Sequence, residues 1–251
     1  MSLHDVTAII LAAGQGTRMG SDLAKVLHPV AGRAMILHVL GACQAAGIGR
    51  CVVVVGYQED AVRAVLAHQA PTMDICCVSQ RPQLGTGHAV QVAMAAVTSP
   101  RVVVLCGDAP LVEAELIAQV AGRLAEVNTT AAVVGARMAD PSGYGRMISD
   151  DGQHLQAIVE HRDADEAQRR IDLVNSGMYA FATDALRAAL EHLRPDNAQG
   201  EYYLTDVPRL LVAKGDTVGL VVGDNGDSIL GVNTPADLAR AEAIYAARHE
   251  G

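Results

Sequence analysis

Val6-Thr-Ala-Ile-Ile-Leu11 runs directly into Ala12-Ala-Gly14-Gln-Gly16-Thr-Arg18-Met-Gly20. The first six residues are mostly apolar and leave no polar face, the mark of a strand covered on both sides. A glycine-rich turn directly after such a strand is where a doubly wound sheet receives its ligand. Outward from this stretch the same scheme repeats. Strands are expected over 51–55, 74–78 and 101–106, and helices over 34–46, 59–67, 87–97 and 113–126. Alternation of this kind requires right-handed crossovers and a mostly parallel sheet. The expected class is a doubly wound α/β fold.

After Thr130 the rhythm changes. A strand over 131–138 leads to a turn-rich link at 140–145. Short strands over 147–149 and 155–160 flank Asp150-Asp151-Gly152, a hairpin signal. A strand over 175–182, helices over 184–193 and 203–213, a strand over 217–222 and a final helix over 235–249 complete the pattern. These elements suggest a smaller mixed lobe laid against the first. No linker or repeat interrupts the chain, so 1–251 is expected to be one domain. It divides into a first lobe at 1–129, a second lobe at 130–234 and a C-terminal helix at 235–251.

Half of the 251 residues are apolar and 19% are charged, a composition that excludes disorder. The net charge of −9 argues against nucleic acid as the main partner. No apolar run approaches the ~20 residues of a spanning helix, and Met1-Ser-Leu-His-Asp5 lacks the features of a signal peptide. No membrane contact is expected. The five cysteines are odd in number and lack C-x-x-C spacing, so they read as small buried residues in a reducing cytoplasm.

Two familiar phosphate-binding motifs fail at the glycine turn. The dinucleotide fingerprint needs G-x-G-x-x-G, and Gly20 falls one residue late; no Lys-Ser or Lys-Thr follows at P-loop spacing. Small residues remain, whose amides can approach a phosphate. Between Ala13 and Arg33 three basic residues against Asp22 leave a local charge of +2 on an acidic chain. That concentration suits a small anion.

Leu11 to Met19, continued by Lys25-Val-Leu-His28 and Gly32, resembles the signature of the sugar-1-phosphate nucleotidyltransferases. Within that family it is most similar to the uridylyltransferase domain of the bifunctional N-acetylglucosamine-1-phosphate uridylyltransferases/glucosamine-1-phosphate acetyltransferases. Further blocks follow in the family's order: Gln80 to Ala89, Gly107 to Leu111, Gly143-Tyr-Gly-Arg146, Ile158 to His161, Asn175-Ser-Gly177, Gln199 to Asp206 and Gly231-Val-Asn233. The resemblance implies a Rossmann-like nucleotidyltransferase fold and the partners UTP and N-acetylglucosamine 1-phosphate. Its products would be UDP-N-acetylglucosamine, a precursor for peptidoglycan, and pyrophosphate. It also implies Mg²⁺, held by Asp108 and Asn233.

The resemblance makes Arg18 and Lys25 catalytic. It sets Leu11, Ala12, Ala13, Gly14, Gln80, Gln83, Gly85 and Thr86 on the nucleotide, and Gly145, Glu160, Asn175, Tyr203 and Thr205 on the sugar. Residue chemistry agrees with these roles. Gln side chains and glycine amides match the imide edge of uracil, and a strand-end carboxylate such as Asp108 points into the ligand crevice. Plainer readings exist as well. Asp108 and Asn233 could be helix caps, Gly85-Thr-Gly87 a simple turn, and Glu160 a solvent-facing strand residue; His161, Asp163 and Asp165 read as a solvated turn. Another sugar-1-phosphate, another pyrimidine nucleotide or a non-catalytic nucleotide-sugar-binding module are the alternative functions.

Three positions depart from the family pattern: Cys106 where Tyr is frequent, Ala24 where Pro is usual, and Arg33-Ala34 in place of Lys-Pro. Nothing after Pro235 resembles the hexapeptide repeats of an acetyltransferase β-helix. Acetyl-CoA chemistry is therefore not expected of this chain, which would be one domain of a longer enzyme or a monofunctional one.

Overall fold

The computed structural model describes residues 3–70, 73–149, 152–223 and 226–249. β1 (Val6–Ala12) opens the chain, and the small hairpin β2 (Pro29–Val30) and β3 (Arg33–Ala34) precedes α1 (Met35–Ala45). β4 (Arg50–Val55), α2 (Glu59–Gln69), β5 (Asp74–Ser79), α3 (Thr86–Ala93), β6 (Arg101–Cys106) and α4 (Ala114–Gly122) continue the alternation. Then come β7 (Thr129–Arg137), β8 (Arg146–Ile148), β9 (Ala157–Val159), α5 (Glu166–Arg169) and β10 (Leu173–Ala182). α6 (Thr183–Leu190), α7 (Val207–Ala213), β11 (Thr217–Val222) and α8 (Pro235–His249) finish it.

Among the described residues the main sheet has nine strands in the order β11-β7-β10-β6-β1-β4-β5, with β8 on β10 and β9 on β8. β1 pairs in parallel with both β4 and β6, β4 with β5, and β11 with β7; β10 alone on the main path runs antiparallel. The chain leaves β1 toward β4 and β5, then returns to β6 on the other side of β1. This reversal opens a crevice at the carboxyl ends of β1 and β6, the usual ligand position in such sheets.

Successive strand residues point to opposite faces, and here both faces are apolar. Ala8, Ile10, Val53, Val103 and Leu105 join Ile36, Val62 and Ile117 of α1, α2 and α4 in one buried cluster. Ile9, Val52, Val54, Val102 and Val104 join Val90, Leu186 and Leu211 of α3, α6 and α7 in the other. A third, smaller cluster seats α8 through Ala241 against Met19, Val30, Leu111 and Val232. It carries the segment around Asn233 back to the glycine turn.

The structure corrects several expectations. β7, β10 and β11 do not form a separate layer but extend the first sheet. The helix expected over 203–213 begins as a 3₁₀ turn at Leu204–Asp206 and becomes α7 at Val207. The expected helix over 87–97 starts at Thr86 and ends at Ala93, with a 3₁₀ turn after it. The hairpin signal is matched by antiparallel β8 and β9, although Asp150 and Asp151 themselves lie outside the described residues.

Candidate active site

β1, β4, β5 and β6 end level with one another, as the pairs Ala12↔Val55, Val55↔Ser79 and Leu11↔Cys106 show. The loops that leave these ends build two adjoining clefts. One, of about 310 Å³, is lined by Leu11 to Gly14, Lys25, Gln80, Gln83, Gly85, Thr86, Cys106 and Asp108. The other, of about 240 Å³, is lined by Tyr144, Gly145, Glu160, Asn175, Tyr179, Thr205, Gly231 and Asn233, among others. Leu11, Thr86, Cys106 and Asp108 belong to both.

In the first cleft the glycines make close approach possible. Gly56 leaves room for Gln83, whose Nε2 donates to the Ala13 carbonyl at 2.6 Å. Gly107 passes the β1 end closely enough for its N–H to reach the Leu11 carbonyl at 2.9 Å. Gly85 adopts φ +104, and a Cβ there would stand 2.7 Å from the Tyr202 carbonyl. Gln80 is buried and donates to the Gly85 carbonyl at 2.9 Å. Its amide thus shapes the loop from within. Thr86 accepts the Leu204 N–H at 3.0 Å and ties the loop to the second cleft.

Where the clefts meet, Lys25 and Asp108 form an ion pair, with side chains 15% and 16% exposed. Lys25 Nζ also donates to Asn233 Oδ1 at 3.0 Å, and Arg18 Nη2 reaches the same oxygen at 3.0 Å. Two cationic side chains, a carboxylate and an amide oxygen therefore converge from four separate segments. The Val232 N–H donates to the Asp108 carbonyl at 2.9 Å and fixes the distant Asn233 segment there. Asp108 and Asn233 offer hard oxygen donors gathered around positive charge, a donor set that fits a small divalent cation sharing its remaining positions with phosphate oxygens and water. Among the described residues no group of three His, Cys, Asp or Glu could hold a metal by itself.

In the second cleft Glu160 Oε1 accepts from the Thr205 hydroxyl at 3.0 Å. Burial raises the Glu160 carboxyl above its ordinary range, and the Thr205 hydrogen bond offsets part of that rise. Asn175 donates through Nδ2 to the Tyr179 hydroxyl at 2.7 Å, while its Oδ1 accepts the Gly177 N–H at 3.1 Å. Cys106 lies between the clefts, and burial pushes its thiol up to about 12, so it stays protonated near neutrality. It is a wall rather than a nucleophile.

Sixteen of the seventeen residues expected at the site thus fall in or beside the two clefts: Arg18 stands at the rim through Asn233, and the rest line them. Tyr203 is the exception. Its buried ring lies outside both and lines an adjoining cavity, with its hydroxyl accepting from Gln199 Nε2 at 2.9 Å. His161 is half-buried and bonded to Arg146, unlike the expected solvated turn. Sequence reasoning missed Tyr144 and Tyr179 as cleft residues. Tyr144 sits inside the quoted Gly-Tyr-Gly-Arg block, which was the available signal, whereas nothing local marks Tyr179.

Among the described residues no helix is long and apolar enough to cross a membrane. The description of the MobA-like NTP transferase domain matches residues 8–206. The bifunctional protein GlmU of Heliobacterium modesticaldum is 44% identical over 244 residues, 96% of this chain and 52% of that protein. GlmU of Halalkalibacterium halodurans is 43% identical over 243 residues, with the same shares. The chain thus spans about half the length of these relatives. In fold it is similar to HddC from Yersinia pseudotuberculosis, solved in complex with GMP-PN, at a TM-score of 0.71 and 18% identity over 95% of this chain and 99% of the other. The match over most of the chain and the strand-end clefts agree: this chain belongs to the MobA-like NTP transferase family.

Proposed function

We propose that the chain transfers UMP from UTP to N-acetylglucosamine 1-phosphate, giving UDP-N-acetylglucosamine and pyrophosphate with the help of Mg²⁺. The observation that carries this reading is the meeting of two clefts at Lys25, Asp108 and Asn233, with Arg18 on the same amide oxygen. One cleft has the glycine amides and Gln side chains suited to a nucleotide. The other has the carboxylate, amide and hydroxyl suited to a sugar. The identity to the GlmU proteins over nearly the whole chain supports the choice of substrates.

The chemistry follows from charge. A phosphate oxygen of the sugar phosphate attacks the α-phosphorus of UTP, a P–O bond forms, and the bond from the α-phosphorus to the bridging oxygen breaks. Pyrophosphate leaves with that electron pair. The nucleophile is already anionic near neutral pH, so no general base is required. The task is to hold two mutually repelling anions in line and to offset the charge that builds during transfer. Arg18 and Lys25 supply fixed positive charge at the junction. Leu11 to Gly14, Gln80, Gln83, Gly85 and Thr86 hold the nucleotide, while Gly145, Glu160, Asn175 and Thr205 orient the sugar. Mg²⁺, held by Asp108 and Asn233, would add charge neutralisation on the phosphates. The free cysteines suit a reducing cytoplasm as the compartment of this reaction.

Pyrophosphate release across a matrix of nucleoside triphosphates and sugar 1-phosphates, with and without Mg²⁺, tests the proposal. UTP with N-acetylglucosamine 1-phosphate should exceed every other pair and should require the metal. Turnover of another pair at the highest kcat/KM would reject the assigned specificity, and no turnover with any pair would reject the transferase reading.

A further inference from the structure

Among the described residues Arg146 is the one arginine, lysine or carboxylate that is fully buried, at 1% exposure. Burying a guanidinium is expensive unless its N–H groups find acceptors. Arg146 meets this cost with carbonyls and an imidazole rather than with a carboxylate. Nη1 donates to the Tyr144 carbonyl, and Nη2 lies 3.3 Å from His161 Nδ1 and 3.3 Å from the Arg169 carbonyl. Nε has no partner. Something other than general stability accounts better for a charge kept at such a place.

The register shows what stands in front of it. Arg146 pairs with Val159 of β9 and with Val174 of β10, both antiparallel. One position onward, Gly145, Glu160 and Asn175 therefore lie side by side. The Asn175 N–H donates to the Gly145 carbonyl at 2.9 Å, and a Cβ on Gly145 would stand 3.6 Å from Glu160 Oε2. These three line the second cleft, and Arg146 does not. Its guanidinium grips the segments on both sides of the row: Tyr144 before Gly145, and His161 after Glu160.

We propose that Arg146 is the positioning residue of the sugar cleft, locking the Gly145–Glu160–Asn175 row from behind and so setting the affinity for the sugar phosphate without touching it. This rests on the sugar-1-phosphate reading given above. A guanidinium holds five donors in one rigid plane and so fixes several acceptors relative to one another, whereas an ammonium is a compact charge with three rotatable donors on a flexible stem. Loosening the fork should separate the Gly145 and Glu160 sides of the cleft and leave the nucleotide cleft intact.

Steady-state kinetics with each substrate varied in turn, alongside thermal unfolding, form the test. Arg146→Met should raise the KM for the sugar 1-phosphate about tenfold or more, with kcat and the KM for UTP within about twofold of wild type. Arg146→Lys should lie between. His161→Ala removes one acceptor and should raise the sugar KM about threefold, while His161→Gln, whose amide oxygen replaces that acceptor, should restore it. If Arg146→Met does not fold, the two His161 variants decide. An unchanged sugar KM, equal rises in both KM values, or a lower Tm and kcat with both KM values unchanged would overturn the proposal. A wild type that prefers a different sugar 1-phosphate rejects the substrate assignment alone, and the same comparison then runs on that sugar. A wild type that turns over none rejects both.

Discussion

Lys25 can reach Asp108 and Asn233 because Gly16 stands aside. Gly16 has φ +72, and a Cβ there would lie 2.6 Å from Lys25 Cβ, so any side chain would push the lysine stem away. Arg18, in the 3₁₀ turn that follows, remains exposed and reaches Asn233 Oδ1 from solvent. Arg18→Ala should lower kcat by about 10²–10³, equivalent to about 3–4 kcal/mol of transition-state stabilisation. Initial rates at saturating substrates check this, and wild-type turnover would remove Arg18 from the mechanism. Glu160 gives a pH prediction. Its folded pKa lies above the ordinary 4.5 because burial disfavours the charge. Between the unfolded and folded values the native state binds the extra proton, so stability falls as pH rises through that window. Glu160→Gln abolishes this contribution. Its loss of Tm with rising pH just above 4.5 should be shallower than that of wild type; parallel curves would contradict the assigned shift. Most residue types at the site were legible in the chain because small, charged and amide residues cluster after strands. Their actual partners were not: Gln80 Nε2 donates to the Gly85 carbonyl and the Tyr203 hydroxyl accepts from Gln199, contacts that no local signal shows.

Among the elements, β10 decides the most. It runs antiparallel between β6 and β7, and its register shifts between Asn175 and Tyr179. Gly177, with φ +77, sits inside that irregularity, where a Cβ would meet Cys106 Sγ at 2.7 Å. The bulge turns Asn175 toward the second cleft and leaves Phe181 in the core, stacked on Tyr179 with ring centroids 5.7 Å apart. Phe181 is fully buried. Phe181→Ala should cost about 3–5 kcal/mol, as large-to-small changes in a packed core do. Denaturant unfolding measures it, and a loss below about 1 kcal/mol would show that the site collapses around the gap. Periodicity revealed β1, β4, β6 and β11 to within a residue or two, since alternation and continuous apolar runs are local properties. It could not reveal strand order or the reversal of one strand in a mostly parallel sheet. β10 reads like its neighbours, and only long-range pairing makes it the reversed strand that joins both halves in one sheet.

Across the whole molecule a net charge of −9 coexists with a junction where Arg18 and Lys25 meet one carboxylate. An acidic exterior does not prevent anion binding when fixed positive groups lie within a few ångströms of the ligand and distant charges are screened over about 8–10 Å. α8 contributes from afar. Its packing on Met19 and Val30, together with the Val232–Asp108 backbone bond, returns residue 233 to a turn more than two hundred positions earlier. The amino-acid sequence by itself determined the α/β class, the position of the glycine turn at a strand end and the residue types available for phosphate and sugar, because these depend on neighbours along the chain. The tertiary structure alone decided that Asn233 would face Lys25, that β7, β10 and β11 would extend the first sheet, and that Arg146 would be sealed behind Gly145, Glu160 and Asn175. Those outcomes depend on which surfaces bury one another, and that is settled only when distant segments meet.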